Sequence, residues 1–198
     1  MTGRVGILAF GSLIGDPGRE IAGATVGTTR DILTPFNVEF ARSSKTRGGA
    51  PTLVPVNTGG TKVAGIIYEV SSDEEMAADF LYRREIHRVG SGRRYRAPRA
   101  VRGDAVRIDR CPQFQGFDVV LSTRIRANIS PLTIAKLAEL AIQSAKTMDD
   151  GRDGISYLID ARKHGIATPL SPGYERELLR RLGVNDLHEA LAKARTVA

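Results

Sequence analysis

Two short pieces of this sequence hold residue types that chemistry can use. The first is Phe10-Gly11-Ser12-Leu13, which closes the apolar run Val5-Gly6-Ile7-Leu8-Ala9. A strand ending in Gly-Ser leaves several backbone N–H groups close together, and such a turn can hold an anion. The small residues let a ligand approach the backbone. A carboxylate or a developing oxyanion suits the turn, and Gly11→Val is expected to block it at little cost to folding. The same residues also suit a plain tight turn. The second piece is Glu85, at the end of an expected helix. A carboxylate there meets the negative end of the helix dipole, while Arg83, Arg84 and Arg88 pull the other way. It is a candidate general base or acid. The alternative is an exposed glutamate in a salt bridge with those arginines.

Other chemistries lack their residues. Cys111 is the single cysteine, so no disulfide forms within the chain and no cysteine zinc cluster is possible. His87, His164 and His188 are too scattered to suggest a metal site. There is no Walker A loop, dinucleotide fingerprint or Gly-x-Ser-x-Gly elbow. The net charge is +7, from 29 Lys and Arg against 22 Asp and Glu. Much of the excess lies between Arg83 and Arg110, at Arg88, Arg93, Arg94, Arg96, Arg99, Arg102 and Arg107. Such a run suits nucleic acid, an anionic small molecule or plain solvation. No helix-turn-helix, zinc-finger or RNA-binding signature accompanies it, so nucleic acid is not the expected partner.

The elements that must position these residues follow from periodicity. The 198 residues, 41% hydrophobic and 26% charged, suit one globular domain. No apolar run approaches the roughly 20 residues of a membrane helix. Met1–Phe10 reads as a first strand, lacking the charge and cleavage pattern of a signal peptide. With one cysteine, a reducing cytoplasm is the expected compartment. Further strands are expected at Asn37–Arg42, Thr52–Val56, Val63–Val70, Ala100–Asp109 and Phe117–Arg126. Pro55 marks its strand as an edge, and Cys111-Pro112-Gln113 starts the last link. Ser72 and Glu75 have capping-box spacing for a helix running to Arg84 or Glu85. After residue 129 the pattern is helical, with starts at Ser130-Pro131, Ser171-Pro172 and Asp186, a break at Asp149-Asp150-Gly151 and stops at Gly165 and Gly183. Strands first and helices last favour α+β. Residues 1–129 are expected to form a β core with one helix, and 130–198 a helical extension of the same domain.

Taken in order, several segments resemble the γ-glutamylcyclotransferase-like superfamily, most closely its ChaC-like, glutathione-degrading branch. Gly11-Ser12-Leu13-Ile14-Gly15-Asp16-Pro17-Gly18 resembles that branch's Gly-Ser-Leu-hydrophobic-Trp-Asn-Pro-Gly turn. Arg42-Ser43-Ser44 through Arg47-Gly48-Gly49-Ala50-Pro51 is similar to its Arg-x-Ser…Arg-Gly-x-Pro stretch. Gly65-Ile66-Ile67-Tyr68 matches its Gly-x-x-Tyr strand, and Leu81-Tyr82-Arg83-Arg84-Glu85 resembles the segment bearing the family's catalytic glutamate. Tyr95 stands where a tyrosine often follows. The resemblance covers residues 5 to about 126. Phe10 replaces the usual tyrosine, and Gly15 stands where the glutathione-degrading branch has tryptophan. The resemblance therefore carries the fold and the Glu85 role further than glutathione specificity.

The resemblance implies a small mixed β-barrel or roll with packed helices, followed by the helical C-terminal region. It implies Glu85 as the catalytic residue and Phe10, Gly11, Ser12, Leu13, Arg42 and Tyr95 as substrate-binding residues. The activity implied is intramolecular aminolysis of a γ-glutamyl substrate, glutathione or another γ-glutamyl amide, releasing 5-oxoproline. No cofactor, metal or membrane partner is implied. Three alternatives stay open: another small-molecule enzyme on the same fold that acts on a different γ-glutamyl amide or a related amide, a non-catalytic small-metabolite-binding protein on the same fold, and a basic nucleic-acid-binding module. Arg42 or Arg94 is expected to hold a substrate carboxylate.

Overall fold

A computed structural model describes residues 3–100, 103–148 and 150–196. Val101 and Arg102, in an expected strand, and Asp149, in the expected helix break, lie outside them. The elements run β1 (Val5–Ala9), α1 (Ser12–Gly15), α2 (Gly18–Ala24), β2 (Thr25–Leu33), β3 (Val38–Ser44), β4 (Ala50–Pro55), β5 (Ala64–Val70), α3 (Glu74–Glu85), β6 (Arg107–Phe114) and β7 (Phe117–Arg124). The helices α4 (Ile134–Thr147), α5 (Gly154–Lys163), α6 (Ser171–Leu182) and α7 (Leu187–Thr196) follow. The class is α+β. The described helices include none long and apolar enough to cross a membrane.

The chain divides into two compact units, Met1–Thr34 with Ala64–Arg126, and Pro35–Val63 with Ala127–Ala198. One division between the units falls at residue 126. Residues 1–129 do not form a single core, however, because the β3–β4 segment groups with the C-terminal helices.

The first unit holds a five-stranded mixed sheet in the order β2-β5-β1-β7-β6. Strand β1 runs antiparallel to β5 and parallel to β7. It is central, and all five of its residues are buried, which explains its continuous apolar run. Ala77 and Leu81 of α3 pack with Val5, Ile7, Ala9, Tyr68 and Leu121. Their i, i+4 spacing places both on one helix face. Full burial of Leu81 contributes about 1.5–3 kcal/mol.

The expected barrel is not closed by strand pairing. Among the described residues β2 and β6 are the two edges of the sheet, and β3 and β4 form a separate two-stranded sheet. Strand β2 and the short helices α1 and α2 were not anticipated. β2 is mostly exposed, carries Gly27, and has an irregular register around Thr29–Ile32 with Asp31 at φ 56°. It therefore shows no apolar alternation. The expected strand at Ala100–Asp109 starts only at Arg107 and continues through Cys111-Pro112-Gln113 to Phe114. Pro112 lies opposite Val119, and the edge position of β6 tolerates its missing N–H.

Helix starts also shift. Asp73, not Ser72, caps α3, its carboxylate accepting the Met76 amide at 2.8 Å. A carboxylate also favours the positive end of the dipole, which decides between two adjacent cap-type residues. Thr133 caps α4 in place of Ser130-Pro131. The amides of Asn128 and Ile129 are held by the Ala41 carbonyl, so the chain turns helical only afterwards. Leu170 rather than Ser171 occupies the N-cap of α6. Gly165 and Gly183 take positive φ at the ends of α5 and α6, as expected.

In the second unit, Phe40 of β3 sits edge-on to Tyr157 of α5 and Tyr174 of α6, with centroids 6.2 and 5.5 Å away. Asp153 is fully buried. It accepts from the Ile155 and Ser156 amides and the Ser156 hydroxyl, and pairs with Arg195 of α7 at 3.2 Å. Asp153→Ala removes a helix cap and leaves those donors without an acceptor. It is expected to cost about 1–3 kcal/mol, read as a lower urea midpoint with an unchanged slope.

Candidate functional site

The Gly11-Ser12 turn and Glu85 lie far apart in sequence, and one side chain, Arg84, 72 residues from Ser12, joins them. Glu85 is the last residue of α3, as expected. The Arg84 guanidinium donates to Glu85 Oε1 at 2.9 Å and to Ser12 Oγ at 3.4 Å. Its Nε donates to the Asp16 carbonyl at 3.0 Å, and the Asp16 carboxylate is 3.8 Å away. Glu85 does pair with an arginine, as one reading of the sequence had it, but it is not an exposed surface glutamate. Only 15% of its side chain and 12% of that of Arg84 reach solvent. Glu85 Oε2 has no hydrogen-bond partner among the described residues.

The turn itself is held from both sides. Ala9 ends β1, and Gly11 adopts φ 59°, ψ −137°, a conformation that only glycine takes cheaply. Ser12 begins α1, so the Ser12 and Leu13 amides have no acceptor within that helix. The Ile14 amide is taken by the Gly11 carbonyl at 3.2 Å. Leu13 is buried in the core, and Phe10 is half-buried. From β5 the Tyr68 hydroxyl donates to the Ile14 carbonyl at 2.7 Å. Burial pushes the Tyr68 phenol above its usual pKa, so it stays a donor. Tyr68 was legible only as a strand residue of the resemblance, and its clamp on the turn was not.

The Gly11 geometry changes one expectation. Because φ is positive there, any side chain strains the backbone as well as blocking a ligand. Gly11→Ala is expected to destabilise the protein by about 1–3 kcal/mol, seen as a lower melting temperature. Gly11→Val therefore does not leave folding nearly untouched.

Behind Glu85 lies an ionic network that the sequence showed only as a run of charges. Arg83 is 4% exposed. It makes a forked pair with Glu20 of α2, at 3.0 Å from Nε and 2.8 Å from the second nitrogen. It also donates to the Arg93 carbonyl at 2.6 Å. Glu20 accepts the Gly90 amide at 3.0 Å. Asp79, buried on α3, accepts the Tyr95 amide at 2.5 Å and lies 3.9 Å from Arg83. The segment after α3 thus turns back along the helix with its backbone held at Gly90, Arg93 and Tyr95.

The remaining expected site residues have partners of their own. The Tyr95 hydroxyl oxygen accepts the Ile108 amide at 2.9 Å, and its ring lies 5.6 Å from that of Tyr82. It ties the segment to β6, level with Asp79 and back from Glu85. Arg94 pairs with Glu75 at 3.6 Å, in the first turn of α3 and about 15 Å of helix from Glu85. Arg42 is on β3, in the second unit, where the Arg42 carbonyl accepts from Thr52. Cys111 is half-buried on β6, and burial raises its thiol pKa. No group of three or more His, Cys, Asp or Glu side chains among the described residues could hold a metal ion.

Comparison with models of protein families and with curated proteins finds no match to this chain.

Proposed function

We propose that this protein is a γ-glutamylcyclotransferase-like enzyme that cyclises a γ-glutamyl amide to 5-oxoproline and releases an amine. The observation that carries the reading is the shared contact of Glu85 and Ser12 with Arg84. It puts beside each other the two segments on which the resemblance rests most, within a core of the α+β class that the resemblance implies.

The glutamyl part of the substrate lies against the Gly11-Ser12-Leu13 turn, whose first-turn amides are suited to its negative charge. The substrate's own α-amine attacks its γ-carbonyl carbon. A carbon–nitrogen bond forms to the α-nitrogen, and the bond from the γ-carbon to the leaving nitrogen breaks. Glu85 takes a proton from the attacking amine and returns it to the leaving nitrogen, so no water is consumed. Arg84 holds Oε1 and leaves Oε2 to exchange the proton. Nucleophile and electrophile belong to one molecule, so the protein's main task is to fold the substrate into an attacking geometry. Orientation of that kind supplies several kcal/mol, up to about 7–11 in the best cases. Backbone donors at the turn add electrostatic stabilisation. The test is a panel of γ-glutamyl amides with chromatographic detection of 5-oxoproline. Release from at least one supports the reading, and release from none rejects it in favour of a binding protein.

A further inference from the structure

The segment that follows Glu85 carries a dense set of exposed arginines, and the reaction above gives them no role. Arg88 and Arg93 are exposed, and neither guanidinium has a carboxylate partner among the described residues. Arg19, at the start of α2, is exposed and makes no direct ion pair among the described residues, although its charge reaches the Glu20 carboxylate, and its guanidinium lies beside Gly90, within 2.0 Å of where a Cβ on that glycine would sit. Gly18 packs against the Arg84 and Val89 side chains, at 3.3 and 3.4 Å from its own Cβ position. Arg19, Arg88 and Arg93 thus stand on chain that adjoins the Ser12–Asp16 turn and the end of α3. Two of the nearby carboxylates are committed, Glu20 to Arg83 and Glu85 to Arg84, while the exposed Asp16 carboxylate stands 3.8 Å from Arg84 and Glu75 pairs loosely with Arg94 at the far end of the helix.

The backbone of the segment after α3 is held by buried charge. Arg83, Asp79 and Glu20 hold Arg93, Tyr95 and Gly90 through main-chain hydrogen bonds. A buried ionic network is weak evidence for stability by itself. A diffuse attraction for a nucleic-acid backbone works equally well from a flexible arm. A held backbone keeps the arginines on one short stretch of surface, where their charges act together on a discrete anion and each guanidinium can make a forked contact to carboxylate.

We infer that Arg19, Arg88 and Arg93 form an anion-binding rim beside Glu85, and that the leaving part of the substrate is an acidic amino acid. The inference rests on the cyclisation reading for the γ-glutamyl half of the substrate. The acidic half comes from the rim.

The experiment compares γ-glutamylglutamate with its neutral isostere γ-glutamylglutamine. Calorimetric affinity and 5-oxoproline release are both read, in the wild type and in an Arg88→Ala/Arg93→Ala variant. The wild type is expected to bind the acidic peptide at least about tenfold more tightly, the effect of one charge-assisted contact. That preference should shrink with added salt and disappear in the variant, through KM rather than kcat. Both positions are exposed, so the variant is expected to fold, checked by its melting temperature. Equal affinity and turnover for the two peptides would overturn the rim and leave the cyclisation reading standing. Binding and turnover of neither, with 5-oxoproline released from another γ-glutamyl amide, would overturn the inference alone, and release from no γ-glutamyl amide would overturn both. Submicromolar binding of random duplex DNA at physiological salt, lost in the same variant, would overturn the inference in favour of nucleic acid.

Discussion

Glu85→Gln is expected to lower 5-oxoproline release by about 10²–10⁴-fold, the usual contribution of general acid–base catalysis. Glutamine keeps the size and reach of the side chain, and its carbonyl oxygen can still accept from Arg84 at the Oε1 position. It cannot take a proton from the attacking amine and return it. Substrate affinity should therefore persist. Stability should fall by no more than about 2 kcal/mol, the difference between a charged and a neutral acceptor for a guanidinium. Loss of turnover with retained binding and melting temperature is the signature of a proton-transfer role. Wild-type turnover in the variant would reduce Glu85 to one half of the Arg84 pair.

The second large effect is on stability. Arg83→Met should destabilise the protein by about 3–5 kcal/mol, because it leaves the Glu20 and Asp79 carboxylates without their shared cation. The methionine fills much of the stem's volume, so the loss reports the charge and the Arg93 contact rather than a cavity. Urea unfolding measures it, and a loss under 1 kcal/mol would mean the network is not closed. Acid should weaken the same network. Arg83's hydrogen bonds hold the Glu20 carboxyl below its usual pKa of 4.5, against burial, with the Gly90 amide helping. The stability this contributes is complete above the unfolded carboxyl's pKa. It is lost as pH falls through the lower folded value. Melting temperature of the wild type should thus fall below about pH 4.5 more steeply than that of Arg83→Met.

How much of this was legible in the sequence depended on the range of the interaction. Strand β1 was visible as a continuous apolar run, and β3, β5, β7 and the helices after residue 133 by the spacing of their apolar residues. The glycine stops at Gly165 and Gly183 and the cap at Asp186 were visible because each is a local, chemically specific event. Strand β2 was invisible because a single edge residue, Ile32, is buried there. The grouping of β3–β4 with the helices is a long-range choice with no local signal. At the candidate site, Gly11, Ser12 and Glu85 stood out by type and position, yet Arg84 did not. It read as one charge among many until the fold brought the Ser12 hydroxyl and the Asp16 carbonyl to it. The Arg83–Glu20 pair spans 63 residues and was hidden for the same reason.

The central claim is that the substrate's own amine, and not water, displaces the leaving nitrogen. Running the reaction in water enriched in heavy oxygen, with mass analysis of the products, tests it directly. The account predicts 5-oxoproline whose ring carbonyl carries no label, released in equal amount with the free amine and at least about a hundredfold more slowly in Glu85→Gln. Labelled glutamate as the first product would show hydrolysis and contradict it.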